Sequence, residues 1–198
     1  MADTGAPYFI PFADPTDLVR DWPALSEDVA EAVADGLDAA GNAGIGSNVV
    51  QAVKTDEFTT SSSTYVDVTG LSVTITPSSD TSKVLLLAHV NGSSTAAGAF
   101  AFRFTGGNST AYVGDSEGAR TRAFSGIRSN STNFTVARVT FPVTAVYLDS
   151  PVSAAPVTYK VQMLAAAGTV HVNRVDENVN EAAIMRTASS LTVVEVAG

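Results

Sequence analysis

Two periods divide the chain. In its first forty residues the apolar positions recur every three or four: Trp22, Leu25, Val29, Ala32, Val33, Gly36, Leu37 and Ala40. That spacing puts them on one stripe of an α-helix. Asp14-Pro15 reads as an N-cap and first helical position, opening a short turn that runs to Arg20. The helix restarts at Asp21 or Pro23, continues to Ala40 and stops at Gly41. Beyond the Gly-rich linker 41–46 the period changes to two. Residues 64–68 and 71–76 alternate cleanly between apolar and polar, and 49–58 does so loosely. Residues 83–90 form a more continuous apolar run, which suits a central strand. Further strands are expected at 99–105, 111–113, 122–128, 134–148, 157–166, 169–175 and 191–196. The stretches 105–109 and 167–168 carry hairpin-turn chemistry. Residues 177–186 read as a loop with a short helical turn. Many short strands with regular turn signals predict a mainly β protein, an antiparallel sandwich or barrel, behind an N-terminal helix.

Ahead of the helix, Pro7, Pro11 and Pro15 punctuate Tyr8, Phe9, Ile10 and Phe12. Proline fixes φ and removes a donor, so this piece is extended. Four large apolar groups on an extended tail need a surface that buries them. The tail is read as a docking arm, with packing on its own body as the alternative. The helical stripe Trp22, Leu25, Val29, Val33 and Leu37 covers about two and a half heptads, short of a coiled coil. An isolated helix of this length is marginal in water, so it must pack on copies of itself or on a partner.

Charge sharpens the division. Residues 1–46 hold nine acids against Arg20 alone, which is −8 of the formal −9, and the rest is nearly neutral. Two domains follow: an attachment arm, helix and linker at 1–46, and a β head at 47–198. Scattered bases argue against nucleic acid as a partner. There is no cysteine, which excludes disulfides and thiolate metal sites. No apolar run approaches the ~20 residues of a membrane span, so no membrane insertion is expected. The start has neither basic n-region nor apolar h-region, so no signal peptide is expected and synthesis is cytoplasmic.

Candidate chemistry is sparse. His89 and His171, the only histidines, fall within strand patterns and are read as core or sheet-surface residues. Asp115 and Glu117 could form a carboxylate pair. Arg120 and Arg122 lie beside them, and surface ion pairing is the reading preferred. Gly106-Gly107 opens no helix, so a phosphate cradle fails. Asn91, Asn108, Asn130 and Asn133 begin N-x-S/T triplets and are read as polar loop positions. Asp80, Asp149 and Asp176 fall in turns and could bind calcium, but without EF-hand spacing. Phe100, Phe102 and Phe104 recur at period two and face either the core or a subunit interface. Tyr112, Phe124 and Phe134 could do the same.

Several segments taken in order resemble a known family. They are Val49-Val-Gln-Ala-Val-Lys-Thr-Asp-Glu-Phe58, Tyr65-Val-Asp-Val-Thr-Gly-Leu-Ser-Val-Thr-Ile-Thr-Pro77, Lys83-Val-Leu-Leu-Leu87, Tyr147-Leu-Asp-Ser-Pro151, Thr158-Tyr-Lys-Val-Gln162 and the ending Ala188-Ser-Ser-Leu-Thr-Val-Val-Glu-Val-Ala197. Together they resemble tailed-bacteriophage virion proteins: minor tail proteins, short tail fibres or fibre-like head decorations. Pro7-Tyr-Phe-Ile-Pro-Phe12 and the helix after it resemble the attachment leader of such proteins. The resemblance implies a jelly-roll-like β-sandwich similar to trimeric C1q or TNF heads. It further implies a homotrimer, in which residues 191–196 are a natural contributor to the contact. Another virion protein is implied at the N-terminus, as is a place on the virion surface, with a host-cell glycan or protein as a further expected partner. It carries no catalytic residue, cofactor or metal ligand, so a non-enzymatic structural role is expected. The competing expectations are a carbohydrate-active β-sandwich enzyme using Asp115 and Glu117, and a free C1q-like binding module.

Overall fold

The computed structural model describes residues 27–36, 45–95, 98–128 and 138–198. Its ten strands are β1 (Ile45–Lys54), β2 (Phe58–Thr60), β3 (Val66–Ile75), β4 (Lys83–Ser94), β5 (Ala99–Thr105), β6 (Ser125–Arg128), β7 (Phe141–Asp149), β8 (Val157–Ala167), β9 (Val170–Val172) and β10 (Ser189–Val196). They form two antiparallel sheets. In the first, β1, β10 and β4 lie side by side, β7 pairs with β4 as well, and β9 carries the sheet from the end of β4 to β2. The second runs β3-β8-β5-β6. The chain changes sheet between β2 and β3, β3 and β4, β4 and β5, β6 and β7, β7 and β8, and β8 and β9. That alternation makes this a jelly-roll-like sandwich.

Alternation along each strand sets the core. Val84, Leu86, Ala88 and Val90 of β4 point inward with Leu191 and Val193 of β10. They meet Phe100, Phe102 and Phe104 of β5 and Tyr159, Val161 and Met163 of β8. The three phenylalanines are thus core residues, each worth about 2–3 kcal/mol of burial. In β3 the inward set switches from even to odd numbers, Val68 and then Leu71, Val73 and Ile75. A register shift between Asp67 and Ser72 absorbs the change of phase, and Gly70 supplies the left-handed backbone there (φ 85°). What reads as two strands is one strand with a bulge. Tyr112, Phe124 and Tyr147 close an open edge. Tyr112 stacks on Tyr147 of the first sheet at 4.8 Å, and Phe124 packs on Phe104 of the second at 4.7 Å.

Buried polar groups tie the strand ends. Asn173 (φ 62°) donates through its amide to the carbonyls of Lys54 and Asp56, and it accepts from Ser189 Oγ, which in turn receives the Asn91 N–H. Asp149 is fully buried; its Oδ2 accepts from Tyr159 Oη at 2.7 Å and from the Asn108 N–H at 3.2 Å. Burial, then that hydrogen bond, pushes the Tyr159 phenol far above its ordinary value. Glu195 is buried on β10. Burial pushes its carboxyl up, but the Ser78 hydroxyl and N–H that donate to it bring it below its ordinary value.

Several expected features differ. The expected strand 111–113 is replaced by a 3-10 turn at Ser109–Ala111. The expected 167–168 hairpin is a corner between sheets, because β8 and β9 belong to different sheets. Residues 105–109 likewise lead into the 3-10 turn rather than back along β5. Residues 177–186 form turns without a helix, and Asn91 is buried in β4 rather than placed in a loop. The head begins at Ile45, two residues inside the expected linker. Residues 27–36 are helical as expected. On that helix Val29 is half-buried and Val33 is 47% exposed. Tyr8, Phe9, Ile10, Phe12, Trp22, Leu25, Leu37, Asn130, Asn133 and Phe134 lie outside the described residues.

Candidate functional site: the outer face of the first sheet

The two sheets present opposite chemistry to the outside. On β1, β10, β4 and β7 the cross-strand register aligns the outward residues in rows. Val49 pairs with Val194, Val194 with Leu85, and Leu85 with Leu148. The next row is Gln51, Thr192, Leu87 and Val146, and the third is Val53, Ser190, His89 and Thr144. The first row is wholly apolar, the second mixed and the third mostly polar. None of these twelve carries a carboxylate, guanidinium or ammonium group. Val49 is 54% exposed, Val53 59%, Val146 57% and Leu148 46%, whereas Val194, in the middle of the first row, is buried at 9% and Leu85 and Leu87 are half-buried. From strand and residue spacings the three rows cover on the order of 400 Å². Only the first row and half of the second are apolar, so the apolar part is smaller than that and lies within the size of patch that a typical monomer carries and often uses.

Local sequence explains the face. β-Branched residues and leucine dominate both sides of these strands, so 83–90 reads as a continuous apolar run instead of an alternation. A strand patterned in that way expects cover on both faces. The sandwich interior covers one of them.

The outer face of β3, β8 and β5 is a hydrogen-bonded polar ladder. Lys160 Nζ and Gln162 Nε2 each donate to Asp67 at 2.7 Å, and Arg103 Nε donates to Gln162 Oε1 at 2.8 Å. The Arg103 guanidinium lies 4.2 Å from the Tyr65 ring centre. The Lys160 and Gln162 hydrogen bonds hold the Asp67 carboxyl below its ordinary value. Such a face is already satisfied and suits solvent.

The residues singled out for chemistry are dispersed. His89 is exposed on the third row of the apolar face. His171 is buried on β9, between Thr59 Oγ1 at 2.9 Å from Nδ1 and Asp176 Oδ1 at 3.2 Å from Nε2. Burial lowers its pKa, against the pull of Asp176, and the neutral ring accepts from Thr59 while donating to Asp176. Thr59 and His171 are direct cross-strand partners, so the trio clamps β2 to β9. Glu117 pairs with Arg120, and Arg122 Nε donates to the Gly114 carbonyl. Asp80 sits in an exposed turn. Among the described residues no group of three histidine or carboxylate side chains converges on a metal position. No described helix is long and apolar enough to cross a membrane.

Sequence reasoning missed Val49, Val53, Leu85, Leu87, Val146 and Leu148. Their signal was present: an edge strand and a central strand apolar on the side that alternation assigns to water. No family model matches the chain. No curated protein matches it either.

Proposed function

We propose that this chain is a non-enzymatic structural protein of a tailed-bacteriophage particle, a minor tail, fibre or decoration component. Its β head trimerises through the outer face of the first sheet. Its acidic leader fastens the trimer to another virion protein. The observation that carries the proposal is the row Val49–Val194–Leu85–Leu148, an apolar stripe across four strands of a jelly-roll-like sandwich. Because the face bears no net charge, copies meet on it without repulsion. The leader, at −8, would repel its own copies and suits a basic partner surface instead. Closed symmetry lets every copy cover the next, and three leaders on one assembly strengthen attachment through effective concentration. The polar ladder then faces outward from the particle.

Two measurements test this. Sedimentation equilibrium of the full chain is expected to give three times the 20.3 kDa protomer mass; a monomer at micromolar concentration overturns the trimer. Deleting residues 1–44, up to the start of β1, is expected to leave a folded head that no longer joins particles. Normal incorporation of that head overturns the anchoring role.

A further inference from the structure

At the β6 end of the second sheet a cleft of about 510 Å³ opens on the side away from the apolar face. Its floor is made by Ala99, Ala101 and Gly126, neighbours across β5 and β6 with nothing larger than a methyl group. A Cβ on Gly126 would lie 2.9 Å from the Phe100 carbonyl oxygen, so close strand packing keeps the floor empty. The wall is the loop from Gly114 to Ala123, and it is fixed in place. Tyr65 Oη donates to the Arg122 carbonyl at 2.6 Å, Arg122 Nε to the Gly114 carbonyl at 2.7 Å, and the Gly114 N–H to the Ala123 carbonyl at 3.1 Å. A surface loop held at both ends over a small-residue trough is a preformed open cleft, a form that ligand sites can take.

The rim has a definite chemistry. Arg120, Arg122 and Arg128 line it with Asp115 and Glu117. The Arg120–Glu117 pair balances itself, leaving two guanidiniums and one carboxylate. Guanidinium recognises a carboxylate in a planar two-point fashion. Asp115, exposed on the rim, is an acceptor for hydroxyl groups. A methyl-lined floor fits the C–H face of a pyranose ring, and it offers none of the deep apolar pockets that anchor peptide side chains.

We infer that this cleft binds a carboxylate-bearing saccharide. The inference takes its biological setting from the displayed-head reading above, in which the second sheet faces outward. Its chemistry stands on the cleft alone.

The test is isothermal titration of the full chain with trigalacturonate and with 3′-sialyllactose at low salt. The methyl ester of trigalacturonate and triglutamate serve as comparison ligands. At least one acidic saccharide is expected to bind tenfold or more tightly than the ester and the peptide. Arg128→Ala and Arg122→Ala, which remove the two guanidiniums that Glu117 does not balance, are expected to weaken it at least threefold each, and the remote Arg138→Ala to leave it unchanged. The proposal is overturned if neither saccharide binds at roughly 1 mM, if the ester binds equally well, if triglutamate binds as tightly, or if the two arginine variants bind like the parent chain. Sedimentation of the same samples separates the two readings. A monomer that binds keeps the cleft and ends the trimer; a trimer that does not bind does the reverse.

Discussion

The outer faces of the two sheets come from the same short strands and the same alternating pattern, yet they solve opposite problems. On the second sheet Asp67, Lys160, Gln162, Arg103 and Tyr65 satisfy one another across three strands. On the first, Val49, Val194, Leu85 and Leu148 line up as an apolar row, exposed at its ends in Val49 and Leu148 and buried at Val194. In a sandwich the interior is settled by inward residues alone, so the outward residues are free to differ. Under the proposed function, the difference follows from what each face meets.

The sharpest way to break the contrast is to charge the apolar row. Val49→Asp with Leu148→Asp is expected to raise the trimer dissociation constant by 100-fold or more, since like charges would be brought together without partners. Sedimentation velocity reads the loss, and far-ultraviolet circular dichroism should show the strand content intact. Retained trimers would place the contact elsewhere.

The next effect tests the interior that both faces share. Asp149→Ala leaves the buried Tyr159 hydroxyl without its acceptor, at a cost of about 2–3 kcal/mol. That corresponds to a fall of about 5–10 °C in Tm, read by calorimetry. Tyr159→Phe, which leaves the buried Asp149 carboxylate with the Asn108 N–H alone, should cost at least as much.

Acid should weaken the first sheet. Glu195 titrates below its ordinary 4.5 in the fold, so it contributes stability above that pH and loses it as pH falls through the folded value. His171 is held below 6.5 by burial, so its contribution is also complete above 6.5 and declines in acid as the unfolded chain takes the proton first. Urea midpoints are expected to fall gently below pH 6.5 and more steeply below 4.5. In Glu195→Gln the steeper part should shrink, and in His171→Asn the gentle part.

The smallest effect belongs to the polar face. Asp67→Ala removes the acceptor of Lys160 and Gln162 at an exposed position, a change of about 1 kcal/mol or less, with oligomeric mass unchanged. A large loss there would mean that the ladder, and not the apolar rows, holds copies together.

Alternation was enough to read most strands. It placed Phe100, Phe102 and Phe104 on one face without saying which side was interior. Pattern failed where tertiary geometry intervenes. The Gly70 bulge made one strand look like two, because a phase change and a turn leave the same trace. Ala167-Gly168 has turn chemistry whether the chain doubles back within a sheet or crosses to the other. The apolar positions could be seen one by one but their alignment could not: Val49, Leu85 and Leu148 are neighbours only through registers linking residues far apart in sequence. The cleft shares that property, since its floor joins β5 to β6 and its wall is pinned by Tyr65.

The junction at Ile45 bears on how force would travel. β1 leads directly from the leader and lies antiparallel to β10, with paired residues from Val49 to Lys54. A pull applied upstream and directed along the strand loads that ladder in shear. Its hydrogen bonds then share the tension and must break together. If the leader is the tether proposed above, the head resists a pull along β1 better than peeling from its flank.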